Sequence, residues 1–145
     1  MIVPARTDDE RWFLVSYIAR KLRMDNPRDL VGDMPFYVVG VVVRDELKGA
    51  VIYTNYRDGC CEMSCAGEPG WLNRADLATL FGHPFHTLEC RRVTGIVHRK
   101  NKKARSLNER LGFRLEGVCR RGFKTGDAVI YGMLREDCRW IGERQ

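Results

Sequence analysis

Hydrophobic positions change period several times along the chain, and each change marks an element. Thr7-Asp8-Asp9-Glu10 opens the first helical stretch, with Thr7 as cap and Glu10 three residues later as its reciprocal partner. Trp12, Val15, Ile18, Ala19 and Leu22 then recur at helical spacing and form one apolar stripe. The stripe fades near Asn26-Pro27, and residues 26–35 read as a loop rich in Pro, Gly and Asp. Phe36 to Arg44, Ala50 to Tyr56 and Cys60 to Ala66 are three β-rich runs. Turns at 45–49 and at Arg57-Asp58-Gly59 join them, which predicts a three-stranded antiparallel meander. Met1 to Pro4 fits a short edge strand that Pro4 weakens.

Gly67-Glu68-Pro69-Gly70 ends the meander. Asn73 caps a helix that stops at Gly82 to Pro84, with one further turn at 85–88, and Arg92 to His98 is the next strand. Asn101 caps a last helix whose apolar face is Ala104, Leu107 and Leu111. Gly112 supplies the left-handed stop. From Phe113, positions 113, 115, 117 and 119 alternate with charged and branched residues as in a strand. Lys124-Thr125-Gly126-Asp127 then turns the chain into a second run, Ala128 to Leu134, so the pair predicts a hairpin with a longish loop.

Charge sharpens this picture at one place. Residues 1–88 carry 10 basic and 12 acidic side chains, whereas residues 89–145 carry 15 and 7. Arg99, Lys100, Lys102, Lys103 and Arg105 crowd the start of the last helix, where the helix dipole disfavours cations by about 0.3–1 kcal/mol each. A bound polyanion would reverse that penalty. Without further information a solvated basic loop is the simpler reading, and charge alone does not choose between a nucleotide and nucleic acid.

Asn101, Leu111-Gly112-Phe113, Glu116-Gly117, Arg120, Gly126-Asp127 and Tyr131-Gly132-Met133-Leu134 together resemble the C-terminal half of the GNAT superfamily of acetyl-CoA-dependent N-acetyltransferases. The Rim-type branch, whose members acetylate protein N-termini, is the nearest likeness. The resemblance implies an α/β (α+β) fold over residues 1–145 as a single GNAT-like domain. Its mixed central sheet would splay between the fourth and fifth strands and be flanked by helices. It further implies acetyl-CoA as co-substrate, with no metal, and an amine acceptor that is either a protein N-terminus or a small amine. The backbone of Cys65, Ala66 and Gly67 would pair with the pantetheine arm. Asn101, Lys102, Lys103 and Arg105 would hold the nucleotide phosphates.

Two parts of the family pattern are missing. Relatives place Gln/Arg-x-x-Gly-x-Gly/Ala where this chain has Cys65-Ala-Gly-Glu-Pro-Gly-Trp71. Glu68 opposes an anion and Pro69 has no amide to donate, which leaves Asn73, Arg74 and the amides near them for the pyrophosphate. The tyrosine acid of many relatives is Asn108 here, and the Rim-type serine is Ala104. Ser106 is the hydroxyl left nearby, about 200° around the helix from position 104. Glu62 is the candidate base, a carboxylate on the strand that lines the acetyl group in that fold, although a solvated strand residue is the plainer reading. Because both losses fall on working parts, the alternative is a catalytically inactive GNAT-fold protein serving as an interaction or structural subunit.

The remaining composition narrows the class further. No apolar run reaches the roughly 20 residues that span a bilayer, and the N-terminus lacks a secretory pattern. The six cysteines show no C-x-x-C or zinc spacing and read as reduced thiols in a cytoplasmic protein. Cys61, Cys65 and Cys119 are expected on apolar strand faces. His83, His86 and His98 have no metal spacing. Trp71 and Trp140 read as packing residues, so a nucleic-acid partner has no stacking platform in its favour. A homodimer or a protein partner is left open.

Overall fold

The computed structural model describes residues 1–142. Seven strands form one sheet in the order β1-β2-β3-β4-β5-β7-β6. They are β1 (Ile2–Pro4), β2 (Tyr37–Val43), β3 (Glu46–Arg57), β4 (Cys60–Gly67), β5 (Arg92–His98), β6 (Arg114–Phe123) and β7 (Gly126–Leu134). The helices are α1 (Asp8–Lys21), α2 (Arg28–Val31), α3 (Arg74–Gly82) and α4 (Lys102–Leu111). Every neighbouring pair of strands is antiparallel except β4–β5, which is parallel. This is the mixed, helix-flanked sheet of a GNAT-like fold.

Two apolar clusters fix which face each helix covers. Leu14, Val15 and Ile18 of α1 pack on Val38, Ala50 and Ile52 of β2 and β3. On the opposite face Leu77, Leu80 and Phe81 of α3 join Leu111 of α4, and both meet Val51, Val93 and Tyr131. The α1 stripe is therefore wider than the helical spacing suggests, since Leu14 and Tyr17 are buried while Trp12 and Leu22 are only half-buried.

The turns are tighter than the sequence suggests. Arg44 and Asp45 alone join β2 to β3, at φ 54° and 64°, and residues 46–49 belong to the strand. Both central residues of such a two-residue hairpin need positive φ. Asp58-Gly59, at 51° and 74°, obeys the same rule. Lys124-Thr125 closes the last hairpin, with Phe123 already paired to Gly126, but without positive φ at either residue. Arg121, at φ 53°, sits in a bulge, and its N–H donates to Asp127 Oδ1 at 2.9 Å. That bulge and another near Glu116 break the alternation expected for β6, leaving Leu115, Val118 and Cys119 exposed on an edge strand. Cys119 therefore does not lie on a buried apolar face, unlike Cys61.

Past α3 the chain does not stop at Pro84. It widens into a π-type turn over His83–Thr87, in which the Leu88 N–H reaches His83 O at 3.0 Å. Pro84 has no N–H to lose there, so it is tolerated in the first turn.

Candidate functional site

The site begins where two parallel strands part. β4 pairs with β5 over Cys60–Arg92, Cys61–Val93 and Glu62–Thr94 and no further. From Met63 and Gly95 onward β4 stays with β3 while β5 stays with β7. Met63, Ser64 and Cys65 then face Ile96 and Val97 across a narrow gap, closed at the bottom by Ala104, Leu107 and Asn108 of α4. The β4 backbone beyond Glu62 consequently has no β5 partner and offers an extended arm a strand edge.

The gap opens into a cleft of about 1170 Å³. One wall is the end of β4 with Glu68 to Leu72, and the other is the first half of α4. Lys21, Leu22 and Arg23 close one side, and His98, Lys100 and Thr125 another. Lys100, Lys102, Lys103 and Arg110 contribute positive charge from the α4 side. The acid on this lining is Glu68, which is ion-paired to Lys21 Nζ.

Local chemistry explains how α4 is aimed. Asn101 Oδ1 accepts the Ala104 N–H at 3.1 Å, so the expected cap is formed. At the other end Gly112, at φ 107°, closes the helix. The Phe113 N–H returns to Asn108 O at 2.9 Å and the Gly112 N–H to Glu109 O at 3.2 Å. The turn before α4 is held by His98, whose Nδ1 accepts the Lys100 N–H at 3.1 Å while Nε2 lies 3.0 Å from Thr125 Oγ1. With Nδ1 accepting, the ring proton sits on Nε2 and points at Thr125.

The expected site residues divide by position. Cys65, Ala66, Gly67, Asn101, Lys102 and Lys103 line the cleft together, and Ser106 borders it on the outer surface of α4. Arg105 turns toward the sheet instead. Its Nε donates to the Tyr131 hydroxyl at 3.1 Å, its Nη1 donates to Arg99 O at 3.1 Å, and the Tyr131 hydroxyl donates to Glu109 Oε1 at 3.2 Å. Asn73 is used as the α3 cap, accepting from Asp76 N at 2.8 Å, and the Arg74 guanidinium lies over the Trp140 ring at 6.0 Å. Neither is among the cleft's lining residues. Glu62 sits two residues before Ser64 on the same face of β4, roughly 6.6 Å along the strand from the gap. Glu116, one of the residues that carry the resemblance, pairs its Oε1 with Arg92 Nη2 at 2.6 Å.

Several lining residues escaped the sequence reading. Asn108 is buried at the base of the gap, and Gly95 opposite makes room for it, since a Cβ there would come 3.2 Å from Asn108 Nδ2. The sequence singled it out only as standing where many relatives carry a tyrosine acid, and gave it no task of its own. Trp71 lines the cleft floor flat against the cross-strand pair Gly49–Gly67, where added Cβ atoms would fall 2.0 and 2.4 Å from its ring. Lys21 and Arg23 come from the far end of α1, and no local pattern links them to residues 65–67. The Cys65 thiol, enclosed by apolar neighbours, is pushed up to about 12 by burial and stays protonated.

Part of the amide supply of the loop after β4 is already committed within the chain. The Glu68 N–H is taken by Lys48 O at 2.7 Å and the Trp71 N–H by Glu68 O at 3.2 Å, while Pro69 has none. At α4 the Ala104 and Lys102 amides are likewise bonded internally, to Asn101 and to Lys100 O. Lysine side chains supply much of the positive charge on this lining. The strand edge, the basic cleft and the narrow gap suit a phosphate-bearing ligand with a long arm. Among the described residues no three His, Cys, Asp or Glu side chains converge on a common point as metal ligands.

No protein-family model matches the sequence, and no curated protein matches it. Solved structures do. A protein described as "Probable acetyltransferase" is 25% identical, with a TM-score of 0.63 over 75% of this chain and 67% of its own. A variant of spermidine N-acetyltransferase SpeG from Vibrio cholerae is 17% identical, with a TM-score of 0.69 over 94% and 95%. A chimera of that enzyme with hSSAT is 19% identical, with a TM-score of 0.68 over 94% and 97%. These structural neighbours are acetyltransferases of the GNAT type, and the shared architecture is the GNAT-like fold.

Proposed function

We propose that this protein transfers an acetyl group from acetyl-CoA to a primary amine. The observation that carries the reading is the parting of β4 from β5 into a gap that opens onto a lysine-lined cleft. It is supported by neighbours that are described as acetyltransferases, one of them acting on spermidine. For this chain, the resemblance to the Rim-type branch favours a protein N-terminus as acceptor, and a small amine is the other candidate.

Each group then has a task. Lys102, Lys103 and Lys100 neutralise the phosphates, and Asn101 holds the helix start that presents them. The free edge of β4 at Cys65 to Gly67 hydrogen-bonds the arm and can present an amide to the thioester oxygen. The thioester supplies an activated acyl carbon, and the amine attacks it directly. Glu62, through a water, takes the proton from the ammonium form of the acceptor. The leaving thiolate forms among Ser64, Cys65 and Asn108. Ser64 and Asn108 can donate hydrogen bonds to it, and a thiol as weakly acidic as Cys65 does not protonate it. As the tetrahedral adduct collapses, the second proton of the attacking nitrogen passes to the thiolate, so that coenzyme A leaves as the free thiol and the amide is neutral. Ser106, on the outer wall, is placed for the nucleotide rather than the sulfur. Arg105, Asn73 and Arg74 serve the site by fixing α4 and α3.

Calorimetric titration with acetyl-CoA tests this reading. The expected result is a dissociation constant on the order of micromolar, weakened about tenfold or more in Lys102→Ala/Lys103→Ala. Thiol release from acetyl-CoA, followed over spermidine and a set of peptide N-termini, then identifies the acceptor. Absence of heat with acetyl-CoA, together with no thiol release on any amine, would remove the reading.

A further inference from the structure

Glu68 is the anomaly of the cleft. It is a carboxylate on the wall that faces the α4 lysines, yet it is exposed enough to move. It is ion-paired to Lys21 Nζ, and the positive charges of Lys21, Lys48 and Lys103 all hold its carboxyl below the usual range, Lys21 most strongly. Its backbone is anchored by the bond from its N–H to Lys48 O at 2.7 Å, which keeps the residue on the cleft wall. Lys21 is itself placed by α1, whose C-terminal turn also carries Arg20. One cation, Lys21, thus holds this carboxylate on a wall that faces Lys102 and Lys103 across the cleft.

We infer that Glu68 occupies the position of a ligand phosphate, and that phosphate binding passes Lys21 from Glu68 to the ligand. This inference rests on the acetyl-CoA reading for the ligand's identity, but the exchange itself needs only a polyphosphate. Glu68 sets affinity by competition: a dianionic phosphate group displaces a singly charged carboxylate, while a neutral or singly charged ligand does not. Lys21 becomes a binding residue that family comparison would not select, because it lies at the end of α1. The Glu68 carboxylate, once released, is repelled by the incoming phosphate and turns away into solvent, to which it is already partly exposed.

The test uses the full chain and three probes: pyrophosphate, coenzyme A and phosphate-free pantetheine. Glu68→Gln keeps the size and removes the charge. It is expected to tighten pyrophosphate and coenzyme A about three- to fivefold and to leave pantetheine unchanged. Lys21→Ala is expected to weaken coenzyme A in the wild-type background, and to weaken it more in the Glu68→Gln background, where Lys21 is already free. Equal or weaker phosphate binding by Glu68→Gln, with a melting temperature matching wild type, overturns the inference. Tighter pyrophosphate with no coenzyme A binding in either protein keeps the exchange and removes the acetyl-CoA reading. Tighter pantetheine binding by the same factor shows a general loosening of the cleft and also overturns it.

Discussion

Trp71 shows how one side chain can dictate two backbone positions. Its ring lies on Gly49 and Gly67, which face each other across β3 and β4, and any Cβ at either would strike it. In the sequence these glycines read as turn residues, and Gly67 as a remnant of a phosphate loop. Their reason is steric and comes from a residue that neither precedes nor pairs with them. Gly67→Ala should destabilise the protein by about 1–3 kcal/mol, read from urea melts, and should also perturb the cleft floor. An unchanged midpoint would mean that the ring moves aside freely. The cysteines give a second test at this scale. Cys119 is exposed, whereas burial pushes Cys65 to about 12 and Cys61 higher than an ordinary thiol. An aromatic disulfide reagent at pH 8 should label Cys119 rapidly and leave Cys61 silent until the chain unfolds, as mass mapping would show.

At the scale of elements, the helix ends were the most legible features, because capping is local chemistry. Thr7 accepts the Glu10 N–H at 3.1 Å, and Glu10 accepts from Arg6 and Thr7 at 2.7 and 3.1 Å. Asn73, Asn101 and Gly112 cap as their residue types suggest. Thr7→Ala should cost about 1 kcal/mol in chemical denaturation. Those same backbone bonds lower the Glu10 carboxyl, as Lys48 lowers Glu46 and Lys21 lowers Glu68. A carboxyl lowered in the folded state contributes stability that is present above its unfolded value, near pH 4.3, and is lost as pH falls through the folded value. Melting temperature should therefore hold from neutral pH down to about 5 and fall below about 4.3. A profile flat to pH 3 would contradict those contacts. The bulges of β6 were illegible, since nothing in a period-2 pattern announces an extra residue. So was the inward turn of Arg105, which sequence position alone grouped with the phosphate lysines. Tyr131→Phe removes the hydroxyl that joins Arg105 to Glu109 and should cost about 1–2 kcal/mol, measured by urea unfolding.

The whole molecule places its chemistry at a topological seam. Five of the six strand pairings are antiparallel, whereas the parallel pair β4–β5 is held at one end only. Its divergence follows from connectivity: β4 must stay with β3, and β5 with β7. The order of elements and the basic start of α4 made that architecture readable from the chain. The cleft itself was only half readable. Its near wall is contiguous in sequence, whereas Lys21 and Arg23 reach it through packing that no local signal records.

Hydrogen–deuterium exchange with and without acetyl-CoA tests this arrangement most directly, because it reports where the ligand lies. The account predicts slowed exchange at Met63 to Gly67 and at Asn101 to Arg105, with β6 unchanged. Protection confined to β6, or none in either segment at saturating ligand, would contradict it.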